Sequence, residues 1–285
     1  MLAFSLCPFA FLHAEDAAPS ITVHQGEVVP FTMPVDTGSN AVVGQFQDQT
    51  ILFFRSKSGF TALIGADLAL SPGKYPLSVT VLREKLQTKK AFVVEVLPTL
   101  FGVETFSLPK EKVDLSSVTL ARVEKEAAKF KDVFEQGRPS SDGGDERLWR
   151  DLFLIPVEGE RAMTFGQKRV INGQDKNPHT GEDIRAPLGR IVTASNSGKI
   201  VLSGDFFFNG LSLVIDHGGG LFTMYFHLSE IKVKQGNFVR QGEVVGKVGQ
   251  SGRATGPHLH WGARINGARV DPFSLVNAAK GVTTP

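Results

Sequence analysis

Short strand-like segments separated by turn residues fill the chain from Ser20 to Leu97, and they constrain its fold more than any other feature. Glycine, proline and asparagine interrupt these segments at intervals typical of antiparallel sheets. Many short strands at that spacing favour two packed sheets, so we predict an N-terminal Ig-like β-sandwich over residues 20–100. The predicted strands are Val28–Met33, Ala41–Phe46, Thr50–Phe54, Ala62–Ala66, Leu77–Val81 and Ala91–Val96.

A helical pattern interrupts the strands between Val113 and Gln136. Asp114 or the Ser116–Ser117 pair can cap the start of this helix, and Gly137 can end it. Because this pattern separates two β regions, we predict a helical connector. The apolar residues that recur at helical spacing, among lysines and glutamates, are Leu120, Val123, Ala127, Phe130 and Phe134.

A polar, glycine-containing run follows the helix at Arg138–Asp145. It has little capacity to bury itself, which is typical of a linker or a surface loop. We therefore predict a helical connector and linker over residues 111–147. Two arrangements fit the pattern equally well: a connector with a mobile linker, or a helix packed on the second domain and followed by a surface loop.

Strand patterns resume after Leu152 and continue almost to the C-terminus. Glycine turns such as His217-Gly-Gly-Gly220 separate the segments, which predicts a second all-β domain over residues 148–285. The chain as a whole is therefore predicted to be mainly β. The predicted strands of this domain are Arg190–Ala194, Lys199–Leu202, Leu211–Asp216, Leu221–Phe226, Gly246–Val248 and His258–Ile265.

Composition limits the classes of function. A length of 285 residues suits two domains, and a net charge of +2 with an isoelectric point near 8.6 falls short of a nucleic-acid-binding signature. The single cysteine, Cys7, rules out an intramolecular disulfide and a cysteine-rich metal site. No segment after the first residues approaches the ~18 apolar residues that span a bilayer. We predict a monomer with no stable membrane span and no nucleic-acid partner.

The first residues, Met1 to Ala14, resemble the second half of a signal peptide. They contain an apolar stretch and a small residue at a plausible cleavage site, but no basic start. We therefore predict a signal-peptide remnant over residues 1–14 and export to the periplasm or cell envelope. Cys7 also raises the possibility of a lipid anchor, although Phe4-Ser5-Leu6 matches poorly the sequence that precedes a lipidated cysteine.

Residues that can perform chemistry concentrate after position 178. In His179-Thr-Gly-Glu-Asp183, Pro178 and Gly181 argue against a helix, so the pair belongs in a loop or at a strand edge. From there an imidazole and a carboxylate can reach one metal ion, and this pair of ligand types suits Zn²⁺. Taken alone, a surface hydrogen bond between His179 and Asp183 is the default explanation.

Four further histidines lie downstream. His258 and His260 are two residues apart, so on a strand both imidazoles point to one face and can line one pocket. His227 ends an otherwise apolar strand, where satisfaction by the backbone is the simpler explanation when it is taken alone. His217 is predicted to be a turn residue outside any site.

Together these side chains predict a catalytic metal centre. Three of the positions can supply protein ligands and leave a fourth zinc position for water, which is typical of a catalytic rather than a structural site. Two histidines then remain to orient the water and stabilise an oxyanion. The chain has no His-Glu-x-x-His sequence, so a helix-borne glutamate base is not available.

Five motifs occur in order in this part of the chain: Pro178-His-Thr-Gly-Glu-Asp183, Val214-Ile-Asp-His-Gly-Gly-Gly220, Met224-Tyr-Phe-His-Leu228, Gly256-Pro-His-Leu-His-Trp261 and Val270-Asp-Pro272. In that order they resemble the motifs of the M23 zinc metallopeptidases, also called the lysostaphin or LytM type. The resemblance covers roughly Leu152 to Val276.

The resemblance implies a role for each matched residue. His179, Asp183 and His260 correspond to the ligands of one Zn²⁺ per chain, and His227 and His258 correspond to the two catalytic histidines. It also implies an antiparallel β core with a groove for an extended peptide. The implied activity is that of a zinc metalloendopeptidase, which hydrolyses peptide cross-links or bridges of peptidoglycan.

The chain departs from the family pattern at Glu182. Members usually carry an apolar residue there, in the His-x-Gly-x-Asp motif. The glutamate is expected to add negative charge near the metal without replacing a ligand. The N-terminal β region is similar to β modules that precede this domain in some exported members.

Other functions remain open alternatives. Some relatives that lack the ligands act as amidase activators, and a non-hydrolytic cell-wall-binding protein or a latent enzyme fits the same fold. Latency follows if the connector over residues 113–145 covers the groove. The hairpin at residues 233–246 resembles those of biotinyl and lipoyl carrier domains, but it lacks the modifiable lysine that such carriers need.

Overall fold

The structure is a computed structural model that describes residues 19–34, 39–84, 86–139, 147–150 and 152–282. The predicted signal-peptide remnant, Cys7 and most of the predicted linker lie outside the described residues. In the described part, strands dominate, so the prediction of a mainly β chain with a helical connector is confirmed.

Two sheets form the N-terminal region. One has the strand order β1-β8-β7-β3-β4 and the other β2-β6-β5, and β1 pairs with β8 in parallel. The apolar faces of both sheets share one core, in which Val42, Ile64 and Val79 are fully buried. The strands are β1 (Ser20–His24), β2 (Val28–Met33), β3 (Ala41–Phe46), β4 (Gln49–Leu52), β5 (Phe54–Ser56), β6 (Gly59–Gly65), β7 (Gly73–Arg83) and β8 (Leu86–Leu97).

The predicted strand Thr50–Phe54 is in fact two strands in different sheets. β4 pairs with β3, whereas β5 pairs with β6. Phe53 lies between them, and its buried ring takes part in the core that the two sheets share. The chain therefore changes sheets at this residue, which an uninterrupted apolar run does not reveal.

The second β region follows a connecting segment with one long helix. The elements from the connector onward are β9 (Val103–Phe106), α1 (Ser117–Gln136), β10 (Glu160–Arg161), β11 (Lys168–Ile171), β12 (Gln174–Lys176), β13 (Gly181–Arg185), β14 (Ile191–Thr193), β15 (Gly198–Phe206), β16 (Gly210–Asp216), β17 (Leu221–Ile231), β18 (Phe238–Val239), β19 (Val244–Val248), β20 (His258–Ile265), β21 (Ala268–Val270) and α2 (Pro272–Lys280).

The large sheet of this region has the order β10-β13-β20-β17-β16-β15-β18, with β14, β19 and β21 joined to it. All the strand pairs of this sheet are antiparallel. A small separate sheet has the order β12-β11-β9. Strand β9, which lies between the first β region and α1, therefore pairs with a strand of the second β region.

Helix α1 begins and ends where its caps predict. The Ser116 hydroxyl accepts a hydrogen bond from the Thr119 N–H at 3.2 Å, and Gly137 is the C-terminal cap. Phe130 and Phe134 pack against the large sheet, with ring centroids 5.7 Å from Phe226 and 5.2 Å from Phe222. Of the two arrangements compatible with the sequence, the structure therefore has the packed helix.

The two faces of the large sheet carry different side chains because neighbours along a strand alternate. On β17, Tyr225 points into a core that it shares with Leu213 and Trp261. Its neighbour Phe226 points to the opposite face, where it stacks on His260 at 5.3 Å between ring centroids. Helix α1 therefore covers part of the same face that carries the histidines.

The two β regions are packed together. Phe54 in the first β region contacts Trp149, with ring centroids 5.3 Å apart. Both belong to an apolar cluster that also contains Leu221 and Leu275. Asp67 accepts two hydrogen bonds from the Arg269 guanidinium at 2.6 and 2.9 Å. None of the helices in the described ranges is long and apolar enough to cross a membrane.

His217 is a buried structural histidine, in agreement with its exclusion from the predicted site. Its Nδ1 lies 2.8 Å from the Ser197 carbonyl oxygen and its Nε2 lies 2.7 Å from the Thr223 hydroxyl. Burial lowers the pKa of His217 to about 4. In the unfolded chain the same side chain has its ordinary pKa near 6.5.

We expect the His217 environment to make the protein less stable in mild acid. Between pH 6.5 and pH 4 the unfolded chain binds a proton at this position and the folded chain does not, so the free energy of unfolding falls as the pH falls. From pH 7 to pH 5 the loss is about 2 kcal/mol. Urea unfolding at both pH values checks this, with His217→Gln expected to reduce the pH dependence and the exposed His24→Gln to retain it. An unchanged pH dependence in His217→Gln contradicts the assignment.

Candidate metal centre

Strand pairing brings Asp183 and His260 together. β13 and β20 are antiparallel neighbours, and Asp183 is directly opposite His260 in their register. His179 precedes β13, and its backbone is fixed by a hydrogen bond from its N–H to the Gln167 carbonyl oxygen at 2.9 Å. His179 therefore lies in a loop, one of the two predicted placements, whereas Asp183 lies in the middle of strand β13 and not at its edge.

Three donor atoms of these residues converge on one point. His179 Nε2 lies 2.7 Å from His260 Nδ1 and 3.2 Å from Asp183 Oδ1, and His260 Nδ1 lies 3.1 Å from the same oxygen. A tetrahedral zinc site with bonds of about 2.0–2.1 Å separates its ligand atoms by roughly 3.3 Å. Two imidazole nitrogens and a carboxylate oxygen at this spacing fit a single zinc ion.

The electrostatics favour the protonation states that metal binding requires. Burial lowers the pKa of His179, and it lowers that of His260 to about 4. Burial alone raises the pKa of Asp183, but contacts with both histidines outweigh it and hold that pKa well below its usual value. At neutral pH the site therefore presents two neutral imidazoles and one ionised carboxylate, which are the ligand forms.

His227 lies beside this cluster at a distorted point of β17. Its backbone has a φ of 62°, in the left-handed region that a non-glycine residue rarely adopts. The pairing of β17 with β16 shifts register here, and the His227 N–H donates to the Asn209 carbonyl oxygen at 2.8 Å. Such local strain is typical of functional positions. The ring lies 4.9 Å from that of His258.

Backbone carbonyls fix the tautomers of His227 and His258. His227 Nδ1 lies 2.9 Å from the Ser251 carbonyl oxygen, and His258 Nδ1 lies 2.8 Å from that of Gly256. Because a carbonyl oxygen only accepts, each Nδ1 carries the proton and donates it. Each neutral ring therefore keeps an unprotonated Nε2, and that of His258 lies 3.7 Å from Asp183 Oδ1.

All five predicted site residues thus lie in one cluster. The rings of His227 and His258 each donate to a carbonyl oxygen of the segment 249–257, which we call the histidine-orienting loop. Burial, with the nearby His260 and His258, lowers the pKa of His227 to about 3, so this ring is neutral at physiological pH.

Tyr225, two residues before His227, lies outside the cluster. Its side chain is fully buried on the opposite face of the sheet. There the hydroxyl contacts Ser195 and Thr223, each at 2.9 Å. Regular alternation would place Tyr225 and His227 on one face, but the positive φ of His227 and the register shift between β16 and β17 break the alternation at this point.

The expectation that Glu182 adds charge near the metal is not what its contacts indicate. Adjacent strand positions point to opposite faces, so Glu182 is directed away from Asp183. Its buried carboxylate accepts from Arg161 at 3.0 Å and from the Thr164 N–H at 2.7 Å. The Thr164 hydroxyl in turn accepts from the Asp183 N–H at 3.1 Å, so Glu182 supports the strand that carries the ligand.

We expect Glu182→Leu to reduce the free energy of unfolding by about 3 kcal/mol, because the change removes the buried carboxylate and leaves Arg161 and the Thr164 N–H without it. Chemical denaturation measures this. The control is Glu160→Leu, where the side chain is 71% exposed and a change within about 0.5 kcal/mol is expected. Equal stabilities of the two variants would show that the buried contacts contribute nothing.

A cavity of about 780 Å³ lies along α1. It is lined by Thr180, which follows His179, and by Asn209, whose carbonyl oxygen accepts from the His227 N–H. Arg264 also lines it, with its guanidinium 4.4 Å from the centroid of the Phe134 ring. Gln49, in the turn between β3 and β4, also lines it, so all three parts of the chain border this groove.

Sequence reasoning missed two arginines beside the cluster. Arg169 on β11 forms an ion pair with Glu104 of β9 at 3.6 Å, and its charge also acts on Asp183. Arg253 belongs to the histidine-orienting loop, and its guanidinium lies 4.1 Å from the centroid of the Phe208 ring. The position of Arg253 five residues before His258 is a signal in the sequence. Arg169 instead lies near the site because the chain just before β11 hydrogen-bonds to the His179 backbone through Gly166 and Gln167.

Comparisons with known proteins agree with this geometry. The profile of Peptidase family M23 matches residues 177–272, which contain all five residues of the cluster. A solved structure of a peptidase M23 from Pseudomonas aeruginosa superposes with a TM-score of 0.65 and 31% identity, over 89% of this chain and 95% of that one. The chain belongs to peptidase family M23.

Two bacterial peptidases match part of the chain. The chain is 40% identical over 142 residues to the peptidoglycan DD-endopeptidase ShyA of Vibrio cholerae, which is 49% of this chain and 33% of that protein. It is 50% identical over 97 residues to the DD-carboxypeptidase/endopeptidase Mpg of Neisseria meningitidis, which is 34% of this chain and 22% of that protein. The similarity thus spans about a third or less of the length of these relatives.

Proposed function

We propose that this M23 protein is a zinc metalloendopeptidase that hydrolyses peptide cross-links or bridges of bacterial peptidoglycan. The observation that carries the proposal is the convergence of His179 Nε2, Asp183 Oδ1 and His260 Nδ1 within 3.2 Å of one another, beside two histidines with free Nε2 atoms. Packing alone does not explain such a cluster, because burying an imidazole or a carboxylate costs free energy unless a hydrogen bond or an opposite charge offsets it.

The donor set would hold one zinc ion per chain. Its two imidazole nitrogens and one carboxylate oxygen are ligands that zinc accepts, and three protein ligands leave one position for water or substrate. Zinc in such a site supplies Lewis-acid chemistry, since it polarises a carbonyl group and activates water at neutral pH.

His227 and His258 would handle the proton and the developing charge. The neutral His227 ring offers Nε2 as a hydrogen-bond acceptor, which orients the attacking water. His258 Nε2, next to Asp183, would take up the proton of that water and donate a hydrogen bond to the carbonyl oxygen that becomes negative. It would then pass the proton to the amide nitrogen as the C–N bond breaks. Both rings are held by backbone carbonyls, so little reorganisation is needed during the reaction.

The substrate assignment rests on the groove and on the named relatives. The groove along α1 is bordered by Thr180, next to His179, and by Asn209, which accepts from the His227 N–H, so it would offer space for a peptide beside the cluster. ShyA is named a peptidoglycan DD-endopeptidase, which supports a bond between D-configured centres as the target. A peptidoglycan substrate places the protein in the periplasm or cell envelope, and we propose that it acts there as a monomer.

We assign hydrolysis to the segment 148–285 and substrate access to the rest of the chain. The first sandwich, residues 20–100, packs on the M23 part through the Asp67–Arg269 ion pair and the Phe54–Trp149 contact. The connector over residues 111–147 supplies α1, which borders the groove. The N-terminal regions would therefore decide which substrates reach the cluster.

Digestion of sacculi tests the proposal. Purified protein is incubated with sacculi of defined cross-link chemistry, and the soluble fragments are identified by mass spectrometry. We expect fragments from the intact protein, none after chelation, and their return when zinc is restored. The fragment masses name the bond. A zinc-loaded protein that releases no fragment from any sacculus would overturn the assignment in favour of a binding protein or an amidase activator.

The packing of α1 favours a second candidate, a latent form of the same enzyme. Because Phe130 and Phe134 cover part of the face that carries the histidines, α1 can restrict the groove. In that case we expect several-fold faster cleavage of sacculi than by the intact protein in two variants. One is a chain that begins at Leu148, and the other is the full chain with both phenylalanines changed to alanine. Leu120→Ala, near the exposed start of α1, serves as the control. Equal rates exclude latency.

A further inference from the structure

Arg253, on the histidine-orienting loop, is a cation for which no described residue supplies a carboxylate partner. It is half-buried, and its guanidinium stacks on Phe208 at 4.1 Å from the ring centroid. Its own N–H donates to the Phe208 carbonyl oxygen at 2.8 Å, so the backbone of the residue is fixed as well. The charged neighbour that acts on it is Arg169, another cation, which together with burial lowers the pKa of Arg253 to about 10.

The other cations near the cluster are already compensated. Arg169 has two carboxylates nearby, Glu104 at 3.6 Å and Asp183, and it contributes to the low pKa of His179 and His260. Lys112 donates to the Gly252 carbonyl oxygen at 3.1 Å. Among these cations, Arg253 has only the Phe208 ring, and no described carboxylate, to offset its partial burial.

Burying an arginine without an anion is costly, and a planar guanidinium is well suited to hold a carboxylate with two parallel hydrogen bonds. The histidine-orienting loop also restricts where that carboxylate would sit. Ser251 and Gly256, on either side of Arg253, hold the rings of His227 and His258 through their carbonyl oxygens. A ligand on Arg253 would therefore lie beside the loop that holds both rings.

We propose that Arg253 binds a free carboxylate of the substrate next to the scissile amide, and so selects cross-links in which the residue that provides the amide nitrogen carries an unmodified carboxylate. This inference rests on the proposed endopeptidase function and specifies its substrate class. Bridges made only of neutral residues lack the group that Arg253 recognises. Cross-links in which that carboxylate is amidated lack it too.

Two synthetic cross-linked peptides that differ only in this carboxylate, free in one and a carboxamide in the other, test the inference. We expect the intact zinc-loaded protein to favour the free carboxylate by about 10- to 100-fold in kcat/KM, the range for one charge-assisted contact. Arg253→Gln should bring that ratio close to one, mainly through KM, and Arg253→Lys should restore part of it. The exposed Arg240→Gln is the matched control and should keep the ratio of the intact protein.

Binding measurements separate this inference from the proposed function. Calorimetric titration of zinc-loaded His258→Ala with each peptide measures the preference without turnover. Equal affinities for the two peptides, or a preference that persists in Arg253→Gln, overturn the role of Arg253 even if hydrolysis occurs. Loss of all hydrolysis with the preference intact overturns the endopeptidase and leaves the carboxylate site standing.

Discussion

Replacing His258 with alanine is expected to lower kcat/KM for cross-linked peptidoglycan peptides by about 10²- to 10⁴-fold, the range for loss of a positioned acid or base. The protein should still hold one zinc ion, because the three metal donors belong to other residues. His258 is fixed through its Nδ1 by Gly256, and its Nε2 lies 3.7 Å from Asp183 Oδ1. Steady-state kinetics together with zinc analysis of the same sample measures both quantities.

Two further variants make this test specific. His227→Ala should cause a loss of similar size, and the double variant should lose less than the product of the two, because residues that act on one water do not contribute independently. The control is His24→Ala, at an exposed position in the first sandwich. A zinc-loaded His258→Ala protein with the activity of the intact chain would remove His258 from the catalytic assignment.

Replacing Asp183 with alanine is expected to have the largest effect on metal binding. Loss of a hydrogen-bond partner outside the ligand set already costs about 10- to 100-fold in affinity, so loss of a ligand should cost more than 100-fold. The change also removes the only ionised donor of the three and leaves two neutral imidazoles. Competition with a chromophoric chelator measures the affinity, and activity at stoichiometric zinc should fall to background.

The matched control is Asp175→Asn, a carboxylate of the neighbouring strand β12 that is 70% exposed and paired with Lys168. Its zinc affinity should equal that of the intact chain. Circular dichroism distinguishes loss of metal from loss of fold in Asp183→Ala. Unchanged zinc affinity in folded Asp183→Ala would exclude this residue as a ligand.

Local pattern predicted the strand that carries His258 and His260. The bounds of β20 are those expected from the sequence, and two-residue alternation places both rings on one face. The cap residues and the apolar spacing of α1 predicted that helix as well. These features depend on neighbours within a few residues, which is why the sequence alone was sufficient.

Long-range pairing was not accessible from the pattern. Asp183 reaches His260 through the register of β13 with β20, and their separation of 77 residues leaves no local signal. The family resemblance, rather than spacing, assigned the ligand roles to these residues. Glu182 was misjudged because the strand β13 was not predicted, and without it the alternation that turns Glu182 away from Asp183 is invisible.

Packing between distant parts of the chain was equally hidden. The helical spacing of Phe130 and Phe134 indicates an apolar face but not its partner, and the structure places it against Phe222 and Phe226. The role that we infer for Arg253 depends on the absence of a nearby carboxylate, which requires the positions of all its neighbours.

A zinc titration of the metal-free protein tests the central assignment most directly. Cleavage of a purified cross-linked muropeptide dimer is followed as zinc is added. We expect no cleavage without metal, a linear rise to one equivalent per chain and a plateau beyond it, with His258→Ala flat throughout although it binds the same equivalent. Cleavage that does not depend on zinc, or its absence in the intact protein with one zinc bound, would contradict a zinc endopeptidase.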